Sequence, residues 1–386
     1  MWWSSAGARA LEDPRPSTSE AAEVRRIARE TKLVRLSPRR FTGGDPLRPV
    51  VISVIRNERL RLPDFLRHYR RLGVRQFLFI DNGSTDGSRE LLAARSDVDL
   101  FAVAGPFSAT NKHGWITRLV QDHGSRWYFL ADADEHAAFH GAADLRELAH
   151  TAQRLGSRRV RAMLLDMYGN EPLTSAKRRP LQSLLDAYPF FDPTGYLEDS
   201  NSLLTSRFGG PRRRALSEID PHIAPQLTKY PLFRLGPNET LVSPHYIDPP
   251  LERDDPCFIA LLHFKFDNDA AARIADAVST GQYWRNSYEY RVYREAIERV
   301  PGFTLMSELS RRYESPADLV RLGIIDTIPL PATRVLLKRF FTFIAGKRTR
   351  QVEGITGRGD LKSLASQDII KTSKRPPRGR GFQDQR

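Results

Sequence analysis

Cysteine is almost missing from this chain: its 386 residues hold one, Cys257, which leaves no intramolecular disulfide framework and suits a reducing compartment. Long apolar runs are missing too. No stretch reaches the ~18 apolar residues a membrane-spanning helix needs. The opening Met1-Trp2-Trp3-Ser4 has neither the basic region nor the continuous apolar core of a signal peptide. The expected location is therefore the cytoplasm. Evenly spread positive charge is also lacking. Lys and Arg outnumber Asp and Glu by 60 to 46, but from Thr333 onward there are 14 basic and 4 acidic residues, so +10 of the net +14 sits there and +4 remains for everything before it. Nucleic-acid binding through that basic arm is the runner-up reading, and no recognised nucleic-acid module precedes the arm.

What is present is enough apolar material for a substantial core, 40% hydrophobic and 10% aromatic residues, in a chain longer than the usual single domain. Residues 1–46 read as a polar, flexible lead-in with one possible helix from Glu20 to Leu36. Order begins with the β-branched run Val50-Val51-Ile52-Ser53-Val54-Ile55, which reads as a central strand ending in Arg56-Asn57-Glu58. Pro63 suits a first helical turn, followed by Phe65, Leu66, Tyr69 and Leu72 at helical spacing and Gly73 as the stop. The strand Gln76 to Ile80 leads into the loop Asp81-Asn82-Gly83-Ser84-Thr85-Asp86-Gly87; a helix from Ser88, a strand at Val98 to Val103 and a helix over His113 to Asp122 continue the pattern. Such alternation predicts an α/β fold, a mostly parallel sheet covered by helices on both faces.

The next strand is Trp127-Tyr128-Phe129-Leu130, running into Ala131-Asp132-Ala133-Asp134-Glu135-His136. Ligands of open α/β sheets collect outside the carboxyl ends of the strands, where these acids fall. If extended backbone continues through Asp132 and Asp134, both side chains leave on one side, and two hard oxygen ligands can grip Mg²⁺ or Mn²⁺. The plainer alternative is a solvated acidic loop preceding Leu145.

With Val51 to Glu58, Asp81 to Ser88 and Asp132-x-Asp134-Glu135 in this order, the chain resembles the family 2-like glycosyltransferases of the GT-A fold. It is most similar to a bacterial branch with Arg-Asn-Glu followed by a Phe-Leu-x-His-Tyr helix, here Phe65 to Tyr69, and with His-Phe-Lys-Phe, here His263 to Phe266. The resemblance spans roughly Pro49 to Tyr293. It implies a Rossmann-like GT-A sheet and a nucleotide-sugar donor whose diphosphate is bridged by Mn²⁺ or Mg²⁺. It places Arg56, Asn57, Glu58, Asp81 and Asn82 on the donor, Asp132 and Asp134 on the metal and ribose-diphosphate, and Lys229, in Lys229-Tyr230-Pro231-Leu232, beside the diphosphate. Asp81-Asn82-Gly83 also reads simply as a turn.

Further along, Val160 to Met167 reads as a strand, and the Pro-containing stretch Tyr188 to Tyr196 cannot be a regular helix. An inverting transferase needs a base within hydrogen-bond reach of the attacking hydroxyl. The candidates are Asp192 first, Asp166 second, then Glu135, Glu198 and Asp199; Asp192 equally caps the turn at Pro193. Arg207 to Arg214 offers cations in one short loop, either a phosphate clamp or a solvated basic face. His263, ending the apolar run Phe258 to Leu262, can complete a metal site, with His245 behind it. Trp284, Tyr288, Tyr290 and Tyr293 on an expected helix from Gln282 to Arg299 suit packing or sugar stacking.

The expected layout is a transferase domain over 47–300, a C-terminal helical extension over 301–350 and a basic disordered tail over 351–386. Thr333 to Ile344 mixes aromatic, aliphatic and cationic residues, so 333–350 can meet the inner membrane face as a peripheral contact or dock on the catalytic domain. The expected partners are the nucleotide-sugar donor and a glycan or lipid-linked acceptor. A catalytically inactive sugar-nucleotide-binding relative is the third reading.

Overall fold

The computed structural model describes residues 18–39, 41, 43–175, 177–179, 182–199, 205–250, 256–267 and 270–329. The segments expected at 333–350 and 351–386 lie outside the described residues. The described residues all belong to one compact unit.

Its centre is a nine-stranded mixed sheet. In chain order the strands are β1 (Val34–Arg35), β2 (Val50–Ile55), β3 (Phe77–Asp81), β4 (Val98–Ala102), β5 (Tyr128–Leu130), β6 (Glu135–Ala138), β7 (Arg159–Asp166), β8 (Thr228–Phe233) and β9 (Cys257–His263), and in space they lie in the order β1-β4-β3-β2-β5-β8-β7-β9-β6. Six of them, β2, β3, β4, β5, β7 and β9, run the same way; β1, β8 and β6 oppose them. This is the α/β, Rossmann-like arrangement the alternation predicts, with antiparallel strands inserted that the alternation does not reveal.

Period-2 side-chain placement explains why both faces are covered. Val51, Ile55, Phe77, Phe79 and Phe129 join one core with Phe65, Leu66 and Tyr69 of helix α2 (Leu62–Arg71). Their neighbours Val50, Ile52, Leu78, Ile80, Tyr128 and Leu130 join another with Trp115, Ile116, Leu119 and Val120. Those four belong to a helix, Ala109–His123, whose Ser108 cap accepts the Asn111 N–H at 3.0 Å.

The described part of the expected lead-in is docked, which corrects its reading as a stretch with little packing. Helix α1 (Thr18–Glu30) buries Ala21, Val24 and Ala28, and β1 pairs antiparallel with β4. At the other end, Leu319, Ile324, Ile325 and Ile328 belong to the same core as β2 and α2, so 301–329 packs with the sheet. A third core gathers Tyr168, Leu216, Phe266, Ile274, Tyr293 and Leu305. Tyr288 and Tyr290 pack against it, so helix packing accounts for the tyrosines of the helix Trp284–Arg299. Among the described residues no helix is long and apolar enough to cross a membrane.

Candidate functional site at the carboxyl edge of the sheet

The sheet order turns back at β2 and β5: the chain builds outward from β2 through β3 to β4, then returns to place β5 on the other side of β2. Crevices at such reversals are where open α/β sheets bind ligands. Here Arg56, Asn57 and Glu58 leave β2, Asp81 ends β3, and Asp132 and Asp134 follow β5. The adjoining β7 and β9 end in Asp166 and His263, while Glu135 opens the antiparallel β6. His263 sits in register with Asp166 on one side and Glu135 on the other.

The first two loops are knitted together. Asn57, with a left-handed φ of 58°, donates its N–H to Ser84 Oγ at 3.0 Å and accepts the Thr85 N–H at 2.8 Å. The Glu58 N–H reaches Ser88 Oγ at 3.0 Å. Asp81 is fully buried and accepts from the Gly83 and Ser84 N–H groups and from Arg89. The turn role of Asp81 is thus in place, and Arg89 covers the carboxylate. Asn82 donates to the Gly105 carbonyl at 3.1 Å. Arg56 is exposed.

The third loop joins through Arg61, a buried cation forked onto Asp267 at 2.7 and 2.6 Å, 3.1 Å from Glu58 and 3.6 Å from Asp134. Burial raises the Glu58 pKa to about 7, against the pull of Arg61. Asp134 goes the other way: burial opposes its charge, but Arg61, His263 and Lys229 hold it well below the usual carboxylate range.

Asp132 and Asp134 do not share one strand face, which corrects the extended-backbone expectation. β5 stops at Leu130, and the Glu135 N–H closes a turn onto the Asp132 carbonyl at 2.9 Å. Asp132 instead pairs with Lys112 and lies 3.8 Å from Lys229. The groups that converge are Asp134, Glu135 and His263, whose ligand atoms all lie within 4.8 Å of one another. Asp134 Oδ2 and His263 Nε2 are 3.7 Å apart. That is wider than the ~3.0 Å between neighbouring ligand atoms on a Mg²⁺-sized ion, so holding one would draw the two side chains together by several tenths of an ångström. His263 Nδ1 is engaged by Asp166 Oδ1 at 2.7 Å, which turns Nε2 toward Asp134, as a carboxylate behind a metal-binding histidine does. This donor set fits a hard or borderline divalent cation, with Glu135 released from its contact with Lys229.

Asp166 already has both carboxylate oxygens engaged. It is buried between His263 and Arg212 Nε, the latter at 2.7 Å; burial opposes its charge, yet Arg212 and His263 hold its pKa low. Asp192, the favoured base, is 1% exposed and accepts from Tyr168 and from Arg214 Nε at 2.6 Å, in a cluster of its own. Glu135 is held by Lys229, and burial raises its pKa. All three carboxylates thus have cationic or hydroxyl partners where a base needs open reach to an acceptor. Glu198 pairs with Arg207 at 2.8 Å. The expected basic loop is a strand, Ser206–Gly209, followed by a helix, Gly210–Leu216, whose Arg212 and Arg214 serve as internal counter-ions. His245 is bound to the Thr228 carbonyl, and burial lowers its pKa to about 4.

Sequence reasoning missed Arg61, Asp267, Lys112 and Glu289, and placed Arg212 only in a basic loop. Arg212 links Asp166 to Glu289 at 2.6 Å, and Lys265 of the His-Phe-Lys-Phe stretch meets Glu289 at 3.3 Å. Burial disfavours charge on Glu289, but Lys265 and Arg212 bring its pKa down to about 2. The available signal was weak: Arg61 lies on the turn opening α2, beside Glu58, and Lys112 in the first turn of the helix before β5.

Fold and site together define an α/β, Rossmann-like protein with a carboxylate–histidine cluster, ringed by cations, at the carboxyl edge of its sheet. No protein-family model and no curated protein matches the chain. Among solved structures it is similar to UDP-glucose pyrophosphorylase complexed with UDP-glucose, at 8% identity over 71% of this chain and 97% of that one, with a TM-score of 0.23.

Proposed function

We propose that this protein is a metal-dependent glycosyltransferase of GT-A type that moves a sugar from a nucleotide-sugar donor to a glycan or lipid-linked acceptor, with inversion. The observation that carries this reading is the convergence of Asp134, Glu135 and His263 within 4.8 Å beside the β2/β5 reversal, with Arg61 and Lys229 in contact with the same carboxylates. When bound, Mn²⁺ or Mg²⁺ neutralises the departing nucleoside diphosphate and lowers the barrier to breaking the sugar bond.

The chain's own residues do the rest. Asp166 holds the His263 ring in place. Lys112, paired with Asp132 in the free protein, and Lys229, paired there with Glu135, turn toward the diphosphate and supply the positive field for the charge that develops there. The donor's base settles over the Asp81 loop by displacing Arg89, whose side chain is 38% exposed.

A thermal-shift panel of nucleoside diphosphates and nucleotide sugars, with and without Mn²⁺, tests the reading, because a ligand that binds only the folded state raises its stability. At least one nucleotide sugar should raise Tm with Mn²⁺ present, the rise should vanish in Asp134→Asn, and the same sugar should release nucleoside diphosphate on turnover. A panel with no metal-dependent shift overturns the proposal. Binding without turnover leaves the inactive relative.

A further inference from the structure

Away from the carboxylate cluster, α2 carries a second group of cations. Arg67, Arg70 and Arg71 on its last turns, with Arg95 beyond the helix Ser88–Ala93, ring a depression of about 450 Å³ whose remaining walls are Pro63 and Leu66. Its Pro63 wall is two residues from Arg61, but Arg71 is ten residues on, about 15 Å along the helix axis, so the cationic end of the depression lies away from the site around Asp134.

The charges around it do not balance. Arg70 forks onto Asp97 at 2.7 Å through two nitrogens, and Arg67 meets Asp64 at 2.7 Å. Asp64 also serves Arg178 and the Leu184 N–H. Arg71 and Arg95 are both exposed, and neither has an acidic partner among the described residues. Cations at a helix C-terminus are favoured by the helix dipole, which accounts for Arg70 and Arg71. Arg95 likewise follows the C-cap, Ala94, of the helix Ser88–Ala93, so the dipoles of two separate helices each favour a cation here, and what they leave unexplained is that the two helix ends bring their arginines to one hollow.

We propose that this depression is an anion-binding site for a phosphate-bearing ligand. Arg71 and Arg95 hold a phosphate or diphosphate group, Arg67 and Arg70 form the rim, and Pro63 and Leu66 receive the adjoining apolar part. Two planar guanidinium groups on one phosphate give paired, charge-assisted hydrogen bonds, the chemistry for which arginine is favoured over lysine. The phosphate can belong to a lipid headgroup or to a soluble molecule.

The test uses the full chain in metal-free, low-salt buffer. Pyrophosphate binding is measured by calorimetry, and retention is measured on phosphatidylcholine vesicles with and without phosphatidic acid. The comparison is between wild type, Arg71→Ser/Arg95→Ser, and Arg29→Ser/Lys32→Ser, which removes the same charge from an exposed stretch elsewhere. The first pair should weaken binding about tenfold or more, as expected for lost charge-assisted hydrogen bonds, with Tm unchanged; the second pair should leave it intact. Pyrophosphate binding without vesicle retention assigns a soluble ligand, and retention by acidic vesicles alone assigns a headgroup. The proposal is overturned if wild type binds neither probe, or if both pairs weaken binding equally. Pyrophosphate held by Lys112 and Lys229 would survive Arg71→Ser/Arg95→Ser, so the loss in that pair separates this site from the one the transferase reading uses.

Discussion

At the residue scale, the centre of the site is a histidine whose two ring nitrogens have different partners. Asp166 takes Nδ1 of His263 at 2.7 Å and Nε2 faces Asp134 at 3.7 Å. On the proposed reading, Asp166→Asn should lower Mn²⁺ affinity by about 10- to 100-fold without removing a ligand, the usual effect of losing an outer partner. Calorimetric titration with Mn²⁺ alone measures this, and unchanged affinity would show that Asp166 is only structural.

Glu58 gives a pH prediction at the same scale. Its pKa is raised by burial from 4.5 to about 7, so the folded state keeps a proton that the unfolded chain releases between those values. The stability this contributes is full below about pH 4.5 and is lost as pH rises through about 7. Glu58→Gln should therefore gain about 1–3 kcal/mol relative to wild type on going from pH 5 to pH 8. Urea unfolding midpoints at the two pH values give the comparison, and a pH-independent difference would refute it.

At the scale of elements, the β2 and β3 loops show how much was legible from local pattern. β-branched runs and Pro63 mark where strands end and α2 begins, and the observed Val50–Ile55 and Leu62–Arg71 follow those marks closely. The loop after β5 was less legible because a two-residue spacing means one face only while the backbone stays extended, and here it turns at Asp132. The docked N-terminal helix had a similar difficulty: its apolar face is narrow, and Ile27 on it meets a glycine, Gly114, nearly ninety residues away. A Cβ on Gly114 would lie 2.7 Å from Ile27 Cβ. Gly114→Leu should force the two helices apart and cost about 1–3 kcal/mol, as overpacking does. Denaturant midpoints would register the loss, accompanied by faster proteolysis within Thr18–Glu30; full native stability would mean that the contact is not tight.

At the scale of the whole molecule, charge and structure separate. The basic excess lies beyond Thr333, whereas the compact unit ends at Pro331. Removal of everything after Pro331 should leave the unfolding transition and any Mn²⁺-dependent nucleotide-sugar shift essentially unchanged. A nucleic-acid-binding protein working through that arm would lose its activity on the same truncation, and its binding would fall steeply with salt. Gel-shift and thermal-shift assays on the shortened chain distinguish the two.

The sequence by itself determined the alternation of strands and helices, the edge on which the chain's acids gather and the place where its positive charge is concentrated, because each is set by residues a few positions apart. The tertiary structure alone decided which acids remain open and which are already paired. Lys229 reaches Glu135 across 94 positions, Arg212 reaches Asp166 across 46, and His263 reaches Asp166 across 97. Such partners are chosen by the order and register of strands in the sheet, and side-chain periodicity along one segment carries no information about which segment will lie beside it.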